Sequence, residues 1–541
     1  MLSLLLALLP AAYAAQRGGK GFRDRPDLVV DYPELHDLDF STNFASLHDT
    51  SNTTASNVTY RYKTNKTEPF LVSSLPEVNW DFGEMYSGLM PIDSNDTSRG
   101  LFFVFKPRDG DPVDDLTIWL NGGPGCSSLE GWFQENGPII WQPSTYVPVA
   151  NPYSWDKETN MIWVEQPVGT GFSIGTPTAQ NEYDIAADFL KFFQNFQTTF
   201  GISNYKIYVT GESYAGRYVP YIASAMVDSN NTEFFNVSGA LVYDPCIGDY
   251  ENIQQEITAY PHVAKNNDLW GLNDTYLSQL EQLHKLCGFE AYIDQWLKFP
   301  PAGQQPALPK WNYTVNASCD VFDLALEGAF VINPCFNLYE IVDNCPAPFD
   351  PLATPAGIGV ATPGTDVYFR RPDVIAAMHA PTSVNWTDCA SVPVFPNGDN
   401  SPDSIQHVLP NVIEHTNRVL VSNADWDFVI ITNGTLLAIQ NMTWNGAMGF
   451  QSQPNDTLYV AQPDQVWAPL QGYVASDPQG TMGIKHYERG LMWVEAFQAG
   501  HMQPQYQPRA ALLHIQWLLG RIDDLPTAPT DTSAATNTSA V

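Results

Sequence analysis

Basic residues are scarce: the 541-residue chain carries 25 Lys and Arg against 59 Asp and Glu, a formal net charge of −34. So negative a surface repels phosphate backbones and anionic lipid, which excludes nucleic acid and charged membrane as partners. No uninterrupted apolar run reaches the ~18 residues that a membrane-spanning helix needs, so no membrane segment is expected. The seven cysteines, at 126, 246, 287, 319, 335, 345 and 389, include no Cys-x-x-Cys pair. The spacing of a structural zinc site is therefore absent, and neither a metal nor another cofactor is expected.

What is present is enough apolar material for a large core, 44% hydrophobic and 13% aromatic residues, so the chain is globular. It opens on "MLSLLLALLPAAYAAQ", an apolar run from Leu2 to Pro10 followed by the small-x-small site Ala12-Tyr13-Ala14. Residues 1–15 are read as a cleaved secretory signal, although no basic residue precedes the apolar run. Fourteen Asn-x-Ser/Thr sequons, from Asn52 to Asn537, support export and N-linked glycans. In an oxidising compartment seven cysteines give three disulfides and one free thiol, with the pairing not fixed by sequence alone. The sequence pI of about 4.4 suits work in acid.

Residues 16–75 are polar and sequon-rich, an N-terminal arm or pro-segment. Short apolar runs closed by turn residues then alternate with helical patterns: "LFFVFKP", "LTIWL", "MIWVEQP", the helix "NEYDIAADFLKFFQNF" with Ile185, Phe189, Phe192, Phe193 and Phe196 on one face, and the run Ile207 to Val209. This order predicts a mostly parallel sheet with helices on both faces, its ligand site beyond the carboxyl ends of the strands. The core is expected in two parts, 76–249 and 366–521. Between them, 250–365 reads as an insertion of helix and Pro-rich loops, pinned by disulfides above the sheet. Residues 522–541 read as a disordered low-complexity tail.

One turn carries chemistry. Gly211-Glu212-Ser213-Tyr214-Ala215-Gly216 contains G-x-S-x-G between a strand and a helix, the setting of a nucleophile elbow rather than of an ordinary Gly-Ser turn. A serine hydroxyl needs a base to take its proton and a carboxylate to orient that base, in the chain order Ser, Asp, His for this fold class. Of the late histidines, His514 lies in the helical run "ALLHIQWLLG" and His486 in the charged segment "IKHYERG", whereas His501 follows a strand and a glycine in "AFQAGHMQP". His501 is the expected base. For the acid, "RVLVSNADWDFVI" offers Asp425 and Asp427, and the pattern does not choose. Oxyanion donors are expected from the Tyr214 N–H and from the glycine-rich loop "WLNGGPGCSS" after an earlier strand.

These residues, with "ENGP" (135–138), "NPYSW" (151–155), "EQPVGTGFS" (165–173) and "GHMQP" (500–504) in order, resemble the serine carboxypeptidase family from about residue 75 to 520. The resemblance implies an α/β-hydrolase fold and a carboxypeptidase acting on peptides or proteins with a free C-terminus; monomer or dimer, and secreted or vacuolar, stay open alternatives. It implies Ser213 as nucleophile, His501 as base, Asp427 as the acid, and the Gly123 and Tyr214 N–H groups as oxyanion donors. Trp119, Asn121, Glu135 and Glu212 match the positions that hold the substrate's terminal carboxylate, and Met502 a position in the substrate pocket. By the resemblance Cys126 pairs with Cys389; Cys287–Cys319 and Cys335–Cys345 are expected beside it, leaving Cys246 free. Two adjacent carboxyls cannot both ionise cheaply, so Glu135 and Glu212 share a proton and activity falls as pH rises. The chain departs from the family at Ala424-Asp425, at Ile430 and in "LVYDPCIGD", changes expected to alter the side-chain pocket rather than the triad. Two other readings remain. An acyltransferase or esterase would keep the triad but not need Asn121, Glu135 and Glu212, and an inactive peptide-binding glycoprotein would have lost a triad member.

Overall fold

The computed structural model describes residues 60–306, 319–347, 349–353, 366–461 and 480–528. The expected signal at 1–15, the arm as far as 59, the tail from 529 and the sequons at Asn52, Asn57, Asn312, Asn316 and Asn537 lie outside the described residues. Ten strands build one sheet: β1 (Tyr86–Asp93), β2 (Asp96–Lys106), β3 (Asp115–Leu120), β4 (Asn160–Glu165), β5 (Lys206–Glu212), β6 (Asn236–Tyr243), β7 (Val419–Ala424), β8 (Asp456–Val460), β9 (Gly480–Glu488) and β10 (Leu491–Ala496). Their spatial order is β1-β2-β4-β3-β5-β6-β7-β10-β9-β8. The middle run from β4 to β10 pairs in parallel, and antiparallel strands close both edges.

The parallel strands are apolar on both faces, as strands covered on two sides must be. In β3, Leu116, Ile118 and Leu120 join one core cluster while Trp119 joins the other, the alternation that a pleated strand imposes. Among the described residues the helices of eight residues or more are α1 (Glu182–Phe200), α2 (Ala215–Asp228), α3 (Ile257–Lys265), α4 (Asp274–Leu286), α5 (Phe289–Trp296), α6 (Val321–Ile332), α7 (Val408–Thr416), α8 (Thr432–Gln440) and α9 (Pro508–Leu518). Helices α1, α2 and α7 bury their apolar stripes on the first face, and α9 covers the second. The mostly parallel sheet with helices on both faces expected from the alternation is the one observed, in the α/β-hydrolase arrangement that the resemblance implies.

The insertion has its own core: Ile257, Trp270, Leu280 and Phe322 cluster with Phe428 and Leu437 from the main body, and Phe322 stacks on Phe428 at 4.5 Å between centroids. Disulfides join Cys287 to Cys319 and Cys335 to Cys345 within it. A third, Cys126–Cys389, ties the glycine-rich loop to a segment 263 residues later, while Cys246 is a free, buried thiol. Residues 60–75, assigned to the arm, pack on the sheet edge: Tyr62 meets Phe105 edge-on and its hydroxyl lies 3.1 Å from that of Tyr205. At the other end Leu525 is buried and the Lys485 ammonium is bonded to Asp524, so packing runs past residue 522. Among the described residues no helix is long and apolar enough to cross a membrane.

Candidate active site

Strand β5 ends at Glu212 and α2 begins at Ala215, which leaves Ser213 in a turn with φ of 61°. A left-handed backbone costs a non-glycine residue roughly 1–2 kcal/mol, and three bonds hold it: the Ser213 N–H donates to Tyr243 O at 2.8 Å, and its carbonyl accepts from Gly216 N at 2.9 Å and Cys246 N at 3.0 Å. The flanking glycines serve close approach rather than φ. A Cβ at Gly211 would lie 2.3 Å from Leu120 O, and one at Gly216 would lie 2.6 Å from Cys246 N.

Asp427 and His501 come from the loops after β7 and β10, parallel neighbours whose carboxyl ends lie side by side. His501 Nδ1 is 2.8 Å from Asp427 Oδ2, with both side chains buried. The Asp427 carboxylate also accepts from Val429 N at 2.7 Å and Ile430 N at 3.2 Å. Asp425 is not part of this pair: its N–H donates to Ala496 O, and burial lifts its carboxyl to about 7. His501 is further held by its N–H to Tyr339 O at 2.8 Å and by the Tyr339 ring, edge-on at 5.1 Å. Its Nε2 is buried with no hydrogen-bond partner among the described residues. The other late histidines have structural places. His514 packs inside α9 against the Tyr243 hydroxyl, burial pushing it down to about 3, and His486 Nε2 is 2.9 Å from Glu488.

A second carboxyl joins this pair. Asp244, first residue past β6, offers an oxygen within 4.8 Å of ligand atoms of Asp427 and His501. It accepts from Ala424 N at 2.8 Å and Gln503 Nε2 at 2.7 Å. Burial first, then the Asp427 charge, raises its pKa well above the ordinary range. The "LVYDPCIGD" departure therefore reaches the triad, contrary to the expectation that it touches only the side-chain pocket. Parallel pairing of Tyr243 with Ser422 sets the residues after β6 beside those after β7. Nothing in the sequence around Asp244 signals this contact, because it exists only across strands.

The glycine-rich loop folds against the elbow: a Cβ on Gly122 would lie 2.7 Å from Ser213 Cβ and 2.5 Å from Tyr214 N. Gly123 takes φ of 109°, open to glycine alone. Beside it Trp119 Nε1 donates to Asn121 Oδ1 at 2.7 Å, and Asn121 Nδ2 reaches Glu212 Oε1 at 2.8 Å, Glu135 Oε1 at 3.4 Å and Glu130 Oε2 at 3.5 Å. All four expected carboxylate-site residues thus meet, and sequence reading missed the third glutamate. Glu130 lies five residues before Glu135 in "SSLEGWFQENGP", and the wide helical turn over Gly131–Glu135 brings the two together; that spacing was its only signal. Burial pushes Glu135 up to about 8. It raises Glu212 and Glu130 well above their ordinary values, with neighbouring carboxyls adding to the effect. Glu135 and Glu212 are hydrogen-bonded to each other, while Glu130 Oε1 has no hydrogen-bond partner among the described residues. Met502, next to His501, is buried at the wall of an adjoining cavity.

A strained serine at the end of one parallel strand and a buried histidine–aspartate pair at the ends of two others are the parts of a serine hydrolase of the α/β-hydrolase class. The serine carboxypeptidase family model matches residues 76–521. The chain is 54% identical over 477 residues to serine-type carboxypeptidase F of Aspergillus niger, covering 86% of this chain and 89% of that one. It is 40% identical over 470 residues to a carboxypeptidase Y homolog of Arthroderma benhamiae, covering 86% and 89%. In fold it is similar to the crystal structure of Kex1(delta)p, a prohormone-processing carboxypeptidase from Saccharomyces cerevisiae, with a TM-score of 0.64, 22% identity and coverage of 85% and 98%. The chain belongs to the serine carboxypeptidase family. It is a serine-type carboxypeptidase, a hydrolase of peptide bonds.

Proposed function

We propose that the chain removes residues one at a time from the C-terminus of peptides and proteins, in acid, through an acyl-enzyme formed on Ser213. The supporting observation is the adjacency of Glu212 to Ser213: a cluster able to grip a free carboxylate is built into the residue before the nucleophile. Asn121 and the protonated pair Glu135–Glu212, with Trp119 orienting Asn121, hold the substrate's terminal carboxylate. Ser213 Oγ attacks the last peptide carbonyl while His501 Nε2 takes its proton, and Asp427 stabilises the resulting imidazolium. The N–H groups of Gly123 and Tyr214 stabilise the oxyanion. His501 then protonates the leaving amine, and water, activated by the same base, hydrolyses the ester.

The opening apolar run and the sequons fit a secreted or vacuolar glycoprotein. In this reading 1–15 is a signal, 16–75 an arm or pro-segment, 76–249 and 366–521 the two parts of the core, and 250–365 an insertion over it. Ser213→Ala is expected to abolish both release of the last residue from blocked dipeptides and labelling by a fluorophosphonate, read by mass spectrometry. A variant that keeps full activity overturns the assignment.

A further inference from the structure

The turn that leaves β6 touches both halves of the triad. Tyr243 O and Cys246 N bond the Ser213 backbone, at 2.8 and 3.0 Å. Between them Asp244, fully buried, brings a carboxyl oxygen within 4.8 Å of ligand atoms on Asp427 and His501. Its backbone takes φ of 40°, a left-handed conformation that is costly for a residue with a side chain. The Asp244 N–H, donating to Ser422 O at 2.7 Å, fixes that conformation against β7. Strain kept at a buried position between a nucleophile and its acid points to a task for the side chain.

The partners of that carboxyl define what it can do. Oδ1 accepts from Ala424 N at 2.8 Å and from Asn423 Nδ2 at 3.4 Å. Oδ2 accepts from Gln503 Nε2 at 2.7 Å, and the Gln503 amide is oriented by its own Oε1, which accepts from Ser422 Oγ at 2.6 Å. The remaining partner is Asp427, with which Asp244 shares a side-chain hydrogen bond. Ionised carboxylates only accept, so a bond between two carboxyls requires a proton on one of them. Asp427 already receives Val429 N, Ile430 N and His501 Nδ1, three partners that favour negative charge on Asp427 and leave the proton to Asp244. The other titratable groups that face Asp244 are Glu212 at the end of β5 and Tyr243 on its own strand, both acids. Among the described residues no Lys or Arg is bonded to it.

We propose, on the triad reading given above, that Asp244 is a positioning residue of the reaction: it keeps a proton, donates it in a hydrogen bond to Asp427, and so tempers the pull of Asp427 on the His501 imidazolium. A carboxylate that accepts such a bond spreads its charge and holds a neighbouring cation less tightly. His501 then sheds its own proton more readily and remains able to take the proton of Ser213 further into acid. The proton on Asp244 stays where it is throughout; only the hydrogen bond it makes is used.

The test is the second-order rate of labelling by a fluorophosphonate, followed from about pH 3 to about pH 8. Labelling needs Ser213 and its base but no hold on a terminal carboxylate. The rate is expected to rise with pH through a midpoint set by the base. Asp244→Ala removes the donor, and Asp244→Ser, a second variant in case the first does not fold, leaves one too short to reach. Whichever folds is expected to raise the midpoint by about one pH unit, the effect of one charge-assisted hydrogen bond, and to label roughly tenfold more slowly well below it. Asp244→Asn, which offers an amide N–H where the acid offers an O–H, is expected to keep the midpoint of the unaltered enzyme. A residue that merely braces Ala424 and Gln503 would lower the rates in proportion at every pH. That result, or a midpoint that Asp244→Asn raises as far as Asp244→Ala or Asp244→Ser does, overturns the proposal while leaving the peptidase reading intact. No labelling of the unaltered enzyme at any pH overturns both.

Discussion

In the proposed mechanism Glu135 and Glu212 decide at which pH the site can hold its substrate. Burial favours a proton on the pair, Glu135 being pushed up to about 8, and in that mechanism the proton makes the hydrogen bond to a peptide carboxylate. The protonated form prevails in acid and is lost as pH rises. The kcat/KM for a blocked dipeptide is therefore expected to fall on the alkaline side, approaching about tenfold per pH unit once the pair has lost its proton. An ester substrate without a free carboxylate is expected to show no such fall. Parallel pH–rate profiles check this, and identical profiles would refute it. At this scale much was legible in the sequence: Ser213 and His501 from their turns at strand ends, and the carboxylate residues from the family resemblance. The choice of Asp427 over Asp425 was open to the pattern alone, because both stand in the same loop and only the pairing of β7 with β10 shows which one meets the histidine. Glu130 and Asp244 were illegible for a similar reason, since their roles come from contacts with residues remote in sequence or from an irregular turn.

Helix α1 shows how an element encodes its own place. Asn181 caps its start by accepting from Asp184 N, and Gly201, at φ of 69°, ends it. Between them Phe189, Phe192, Phe193 and Phe196 form one buried stripe, the spacing from which the helix was read. Phe196 lies 5.3 Å from Phe103, 5.2 Å from Phe105 and 4.7 Å from Phe200 between centroids. Phe196→Ala is expected to cost about 3–5 kcal/mol, the usual price of a cavity under an aromatic, seen as a lower denaturant midpoint; a shift below about 1 kcal/mol would contradict the packing. Elements with a strong period were legible in this way, whereas α8 was not read from the sequence. It is buried on nearly every side, so it has no polar face and no stripe to detect.

Across the molecule, carboxyls held neutral are the recurrent theme. Burial lifts Glu165 and Asp425 to about 7 and Glu256 to about 8, and raises Glu182, Glu212 and Asp244 well above ordinary values. Their unfolded counterparts lose protons near pH 4, so the stability they allow is complete below that point and lost as pH rises toward 8. Asp96, Asp373 and Glu488, shifted the other way, are exposed or only partly buried and oppose this weakly. Melting temperature at a fixed scan rate is expected to be higher at about pH 5 than at about pH 8, and the reverse order would contradict these environments. The net charge of −34 acts in the same direction, since self-repulsion grows as carboxylates ionise. The disulfide from Cys126 to Cys389 also bears on the order of manufacture. The loop beside Ser213 is tied to a segment made 263 residues later, and Asp427 and His501 follow that segment. At about 5–20 residues per second, a ribosome takes roughly a quarter of a minute to nearly a minute to cover that interval. In the proposed mechanism a half-made chain carries the nucleophile without its acid or base, so the enzyme cannot cut its neighbours while it is being born.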